Sequence, residues 1–291
     1  MKLAFGLLGR APRLSERLGA RLGRLAYRLG WRRRVVESQL AQAYPEGDAE
    51  WIRGTARSCY EHLGREWFAV PAVARGGLEE VRRRVDFGEG LEALQAAYGE
   101  GRGVVVVSGH FGNWEFAGSA LAANGFPVDA VWQRLKNESL GRLVVETRER
   151  LGMKLIERGQ AWDRLMNSLA AGRVLAFVAD QDARRSGVFV PFFGRLASTH
   201  RAPALLALRA STPFFVGGVH RVGPQRYKAW VVRLDPPVGL DSRQQVLELT
   251  RMWTSELERR IRLSPEQYFW HHKRWKTVPS GTAQAAGGIR T

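Results

Sequence analysis

Cysteine is nearly absent from this sequence: Cys59 is the only one in 291 residues. That excludes an internal disulfide and any metal site built from cysteine thiolates. Long apolar runs are missing too. The N-terminal stretch Leu3–Leu8 ends at Arg10 and Pro12, well short of the ~20 apolar residues that a membrane-crossing helix requires, and it makes a poor signal peptide. The expectation is therefore a soluble or peripheral protein. No G-x-S-x-G elbow is present, so a serine esterase of α/β build lacks its nucleophile. Helix-turn-helix, zinc-finger and RNA-recognition signatures are also missing. Acid is scarce: 28 Asp and Glu face 45 Lys and Arg, a formal net charge of +17, and only six of those bases are lysine. Such a charge attracts an acidic partner, whether nucleic acid, an anionic membrane face, or an acidic carrier or substrate.

What is present is an ordinary globular composition, 45% hydrophobic and 25% charged, with length enough for a sizeable core. The first segment is the most basic. Leucines at 14, 18, 22, 25 and 29 share one helical face, and arginines at 13, 17, 21, 24, 28, 32, 33 and 34 fill the remainder against one acid, Glu16. That pattern fits a helix lying in a membrane interface. It equally fits a helix packed on the domain by its leucines, with its arginines solvated.

Helical material continues from 35 to 70, interrupted by the turn at 45–48, and the character changes near 85. Short apolar runs at 103–107, 128–132, 153–156, 174–179, 214–219 and 227–233 alternate with helical stretches at 114–124, 138–151, 160–171 and 201–211. Strands alternating with helices predict an α/β fold, a largely parallel central sheet flanked by helices. The expected organisation is a helical, membrane-associating segment at 1–70, an α/β domain at 71–278 and a disordered tail at 279–291.

Two apolar runs end in ionisable residues. GVVVV leads through Ser108 and Gly109 to His110, with Glu115 five residues on, and VLAFVA ends in Asp180, Gln181 and Asp182. Ligands of open α/β sheets bind at the carboxyl ends of strands. On one regular helix His110 and Glu115 would point about 140° apart. Their contact requires a bend, which Gly112 permits, with Asn113 capping a helix from Trp114. A carboxylate on one imidazole nitrogen then leaves the other to take a proton. Asp180 and Asp182 are either loop caps or site residues. Phe189, Phe192 and Phe193 are either core or an apolar wall for a greasy substrate.

In order, GRGVVVVSGHFGNWE, QRLKN, RERLGMKLIER, LAAGRVLAFVADQD, GVFVPFFGRLASTHRAPALLAL and PEQYFWHHKRWK resemble the bacterial lipid A biosynthesis acyltransferase family. That family lies within the wider His-x4-Asp/Glu glycerolipid acyltransferases, and the likeness covers roughly residues 14–277. It implies acyl transfer from an acyl carrier protein or acyl-CoA to a hydroxyl of a phosphorylated glycolipid, with no metal or cofactor. His110 would be the general base, oriented by Glu115, and the amides of the turn from Gly109 to Asn113 would be candidate oxyanion donors. Arg134 would serve the oxyanion or an acceptor phosphate, and Asp180 would support His110 or bind the acceptor. Asn113 and Asp182 complete the expected substrate contacts. Arg148 and Arg150 fall in a basic family segment or on a solvated face, while His271 and His272 are expected to be structural or interfacial.

Family members often begin with a hydrophobic anchor. The arginine-studded stripe that stands here points instead to peripheral binding at the cytoplasmic face of the inner membrane, an anionic surface. Other acceptors, another glycolipid or a lysophospholipid, fit the same motifs. The rival of a different class is a non-catalytic basic protein bound to nucleic acid or membrane. Its support is the charge alone, and no nucleic-acid partner is expected.

Overall fold

In the computed structural model, residues 2–159 and 162–279 are described. The expected disordered tail lies outside them, apart from Pro279. Helices α1 (Lys2–Leu8), α2 (Pro12–Arg28) and α3 (Arg33–Ala43) precede the long α4 (Ala49–Arg84). Asp48 caps α4 by accepting the Trp51 N–H at 2.7 Å, and the helical chain continues past residue 70, broken at Gly77 (φ 65°), to the first strand.

Helix α2 lies against α4 through its small residues. A β-carbon on Gly19 or Gly23 would collide with the backbone of Gly64 or Tyr60 on α4. Gly19 and Ala20 are buried there with Ser15 and Glu16. The leucine stripe faces outward: Leu14 is 65% exposed and Leu29 76%, with Leu18, Leu22 and Leu25 exposed between them. Packing of α2 by its leucines is thereby set aside. None of the described helices is long and apolar enough to cross a membrane.

The remaining elements are β1 (Val85–Glu89), α5 (Leu91–Gly99), β2 (Val104–Ser108), α6 (Trp114–Ala123), β3 (Val128–Trp132), α7 (Glu138–Arg150), β4 (Met153–Glu157), α8 (Trp162–Ala170), β5 (Val174–Val178), β6 (Val188–Phe192), β7 (Arg195–Thr199), α9 (Ala202–Ala210), β8 (Phe214–Gly223), β9 (Arg226–Arg233) and α10 (Ser242–Leu263). Seven strands form one sheet in the order β1-β9-β8-β2-β5-β3-β4. Strands β8, β2, β5, β3 and β4 are mutually parallel, β9 is antiparallel to β8, and β1 is parallel to β9. The fold is α/β with a mostly parallel central sheet flanked by helices.

Val104–Val107 are all buried, because helices cover both faces of the sheet. Val105 and Val107 pack into the core shared with Trp253 and Trp230, and Val104 and Val106 into the core beneath α6. Beyond β5, the chain forms the β6–β7 hairpin, in which Phe192 and Phe193 are buried in the core and not part of a substrate wall. Phe193 and Gly194 at its tip take positive φ values of 51° and 70°.

Candidate active site

The parallel strands β2 and β5 are neighbours in register, Ser108 opposite Val178. The residues just past both carboxyl ends therefore meet, and His110 meets Asp180. His110 Nδ1 lies 2.6 Å from Asp180 Oδ1, and the His110 backbone N–H donates to Asp180 Oδ2 at 3.0 Å. Gly109 makes this approach possible, since a β-carbon there would sit 3.2 Å from the Asp180 carboxyl carbon and against Leu257. With a carboxylate on Nδ1 that nitrogen carries the proton, and Nε2 keeps its lone pair.

Asp180 is 2% exposed. Burial alone would raise its carboxyl, but the imidazole beside it and two hydrogen bonds from His110 outweigh burial and hold it well below the usual carboxylate range. The Trp114 and Phe269 rings flank the His110 imidazole at 5.1 and 5.9 Å between centroids.

The turn bends where the sequence places the bend. Gly112 has φ +60°, and a β-carbon on it would strike the Val219 carbonyl. Asn113 caps α6 by accepting the Phe116 N–H at 3.1 Å. The bend does not deliver Glu115 to His110, however. Glu115 takes a two-pronged ion pair with Arg148 of α7, at 2.9 and 2.7 Å, and Asp180 is the carboxylate on the imidazole. The physical reason is that the β2–β5 register places Asp180 against Nδ1, while the Arg148 guanidinium takes both oxygens of Glu115.

Other expected site residues also move. Asn113 is buried, and its Nδ2 donates to Glu66 Oε2 at 2.7 Å, so it faces the interior and not a substrate. Asp182 is turned to the C-terminal segment: its N–H donates to His272 Nε2 at 2.9 Å and its Oδ2 accepts from Thr277 at 2.9 Å. Four of the five turn amides are committed. His110 N–H goes to Asp180, Phe111 N–H to Gly109 O, Gly112 N–H to Gln267 O and Asn113 N–H to Val219 O. Gly109 is left as the candidate oxyanion donor within the turn, and the cavity wall is the other source of donors. Arg134 stands on that wall, its side chain 75% exposed and 3.6 Å from Glu157.

The HHKRWK segment braces the site from behind. His271 is buried against Trp31, Tyr60 and Phe269 with neither ring nitrogen bonded, and burial and the Arg32 charge push it down to about 4. The Arg274 guanidinium is 1% exposed and donates to Ser198 O at 2.7 Å and to Thr199 of β7.

His110 lines a cavity of about 830 Å³. From the imidazole it extends along the sheet face beneath α6, over Val106, Ala130, Ala176, Gly217 and Ala229. Small side chains on adjacent strands leave an apolar slot there. Exposed Trp31, Trp67, Arg134 and Lys136 border its opening. Among the described residues, no group of three or more His, Cys, Asp or Glu is placed to hold a metal.

The profile of the family described as bacterial lipid A biosynthesis acyltransferase matches residues 5–277. The chain is 32% identical over 243 residues to a phosphatidylinositol mannoside acyltransferase of Mycolicibacterium smegmatis, covering 72% of this chain and 77% of that one. It is 26% identical over 268 residues to the lipid A biosynthesis palmitoleoyltransferase of Escherichia coli, covering 91% and 85%. To the lauroyltransferase of the same organism it is 28% identical over 273 residues, covering 91% and 86%.

Proposed function

The chain belongs to the bacterial lipid A biosynthesis acyltransferase family and is an acyltransferase; from that premise we propose that it moves a fatty acyl chain from a thioester to a hydroxyl of a phosphorylated glycolipid. The observation that carries this reading is the His110–Asp180 pair opening on an apolar slot. In the proposed reaction Nε2 of His110 removes the acceptor hydroxyl proton while the oxygen attacks the thioester carbonyl. The C–O bond forms, the C–S bond breaks, and the departing thiolate takes the proton from the imidazolium. Asp180, buried and ionised, holds the Nδ1–H and stabilises the imidazolium as it forms.

Glu115 and Arg148, both on the cavity wall, order the acceptor beside the base. Arg134, at the rim, is the cation placed to reach an oxyanion or an acceptor phosphate. The slot beneath α6 takes the acyl chain. The donor is an acyl carrier protein or acyl-CoA, and the charge of +17 favours an acidic carrier. The relatives' names point to two acceptors, phosphatidylinositol mannoside and lipid A, whose shared chemistry is a phosphorylated sugar lipid with a free hydroxyl. The outward leucines of α2, ringed by arginines, support peripheral binding of the 1–70 segment to an anionic leaflet at the cytoplasmic face.

The test is acyl transfer from a thioester donor, read by lipid mass spectrometry. His110→Ala and Asp180→Asn should each lower the rate by ~10²–10⁴-fold without changing the folded state seen by circular dichroism. Near-native turnover by His110→Ala would overturn the mechanism.

A further inference from the structure

The inward side of α2 carries Glu16, 6% exposed. A buried carboxylate requires partners, and its partners lead to the catalytic turn. Glu16 Oε2 accepts from Arg221 Nη1 at 2.9 Å and Oε1 from Arg84 Nη1 at 3.3 Å. The same Arg221, on β8, donates Nε–H to Glu66 Oε1 of α4 at 2.6 Å and bonds the Tyr227 hydroxyl. Glu66 Oε2 accepts from Tyr227 at 3.0 Å and from Asn113 Nδ2 at 2.7 Å. One helical turn before Glu66, the buried His62 places Nε2 at 3.3 Å from the Gly112 carbonyl. An unbroken chain of hydrogen bonds thus runs from α2 through Arg221 and Glu66 to Asn113, the third residue after His110, and His62 stands beside it with Nδ1 3.6 Å from Glu66 Oε1.

Two carboxylates and two guanidiniums buried together are expensive, and well-packed hydrophobic residues in their place are often neutral or stabilising. Stability alone therefore gives no reason for the network. Its geometry does, because it ends on Asn113, the residue that caps α6 and directly follows Gly112 with its φ of +60°. None of its residues lines the cavity that holds His110, so its members act on the site through the turn.

We propose that Glu16, Arg221 and Glu66 are positioning residues for His110, making α2 a support of the catalytic turn as well as a surface element. The inference rests on the function proposed above for His110.

The full chain and its Glu16→Gln variant are compared in detergent micelles, where no bilayer is available, and by amide hydrogen exchange. Expected in Glu16→Gln are a kcat lowered ~10- to 100-fold with KM within about twofold, the size of effect that misplacement of a reacting group produces. Peptides covering 104–116 should exchange at least ~3-fold faster while those of β5 do not change. Binding to anionic vesicles should be that of the native chain, since the leucine face is untouched. Should Glu16→Gln fail to fold, Arg221→Lys carries the same measurements, because lysine keeps the charge but cannot bridge Glu16, Glu66 and Tyr227 together. Native kcat in micelles, or native exchange across 104–116, overturns the proposal. Activity surviving in His110→Ala would instead overturn the proposed function, leaving the exchange result to stand on its own.

Discussion

At the scale of single residues, burial and position separate groups that look alike in the sequence. Glu115 and Asp180 are both acids near His110. One is tied to Arg148 on the cavity wall, and the other lies on the imidazole. His110, Gly112 and the Asn113 cap were legible from the strand-turn-helix pattern. Support of His110 by Asp180 was one of two roles that the family resemblance implied. The choice of Asp180 over Glu115 as its carboxylate was not legible, because Asp180 arrives from a strand 70 residues away and only the pairing of β2 with β5 brings it there. His271 gives a stability prediction. Burial holds it at about 4, whereas an unfolded chain protonates histidine near 6.5. Between those values the unfolded state binds the extra proton, so stability falls as pH drops from ~6.5 towards ~4. His271→Phe should fold, since no hydrogen bond is lost in that aromatic cluster. Its urea midpoint should fall less steeply across that window than that of the native chain. His200, also pushed down to about 4 by burial, leaves a residual slope. Parallel pH dependence in the two proteins would show that His271 does not contribute.

At the scale of elements, the strands after residue 100 lie within a few residues of where apolar runs place them, because a buried parallel strand is nearly all Val, Ile, Leu and Phe. The direction of α2 was not legible. A leucine stripe ordinarily turns inward, but here Gly19, Gly23 and Gly64 bring two backbones so close that the small face is the packing face. The short β1, the β6–β7 hairpin and the 22-residue α10 escaped the pattern as well. Helix α10 is studded with arginine and glutamate pairs three and four apart, which dilute its apolar stripe. The outward leucines make a prediction. Leu18→Gln with Leu22→Gln removes two exposed side chains, each worth ~1.5–3 kcal/mol if fully transferred from water. Flotation with anionic vesicles should weaken by ~10²-fold or more, while thermal stability stays close to native because neither side chain is buried. Undiminished flotation would remove α2 from the proposed membrane contact.

At the scale of the whole molecule, the apolar slot is a product of the sheet order and of no local segment. Ala130, Ala176, Gly217 and Ala229 come from β3, β5, β8 and β9, spread over 100 residues of chain, and each is unremarked in its own strand. The cavity's depth was therefore illegible in the sequence even though its His110 end was not. Because the floor is made of small side chains, enlarging one of them should shorten the slot without touching the base. Ala176→Leu adds three carbon atoms against the sheet, in place of about as many substrate methylenes. Each methylene so excluded costs the longer donor ~0.8 kcal/mol of burial, roughly fourfold in relative kcat/KM. In a competition among acyl thioesters of graded length, read by product mass, the preferred chain should shorten by about two to four carbons, with the shortest donor's rate near native. A product distribution that does not move would place the acyl chain outside this slot.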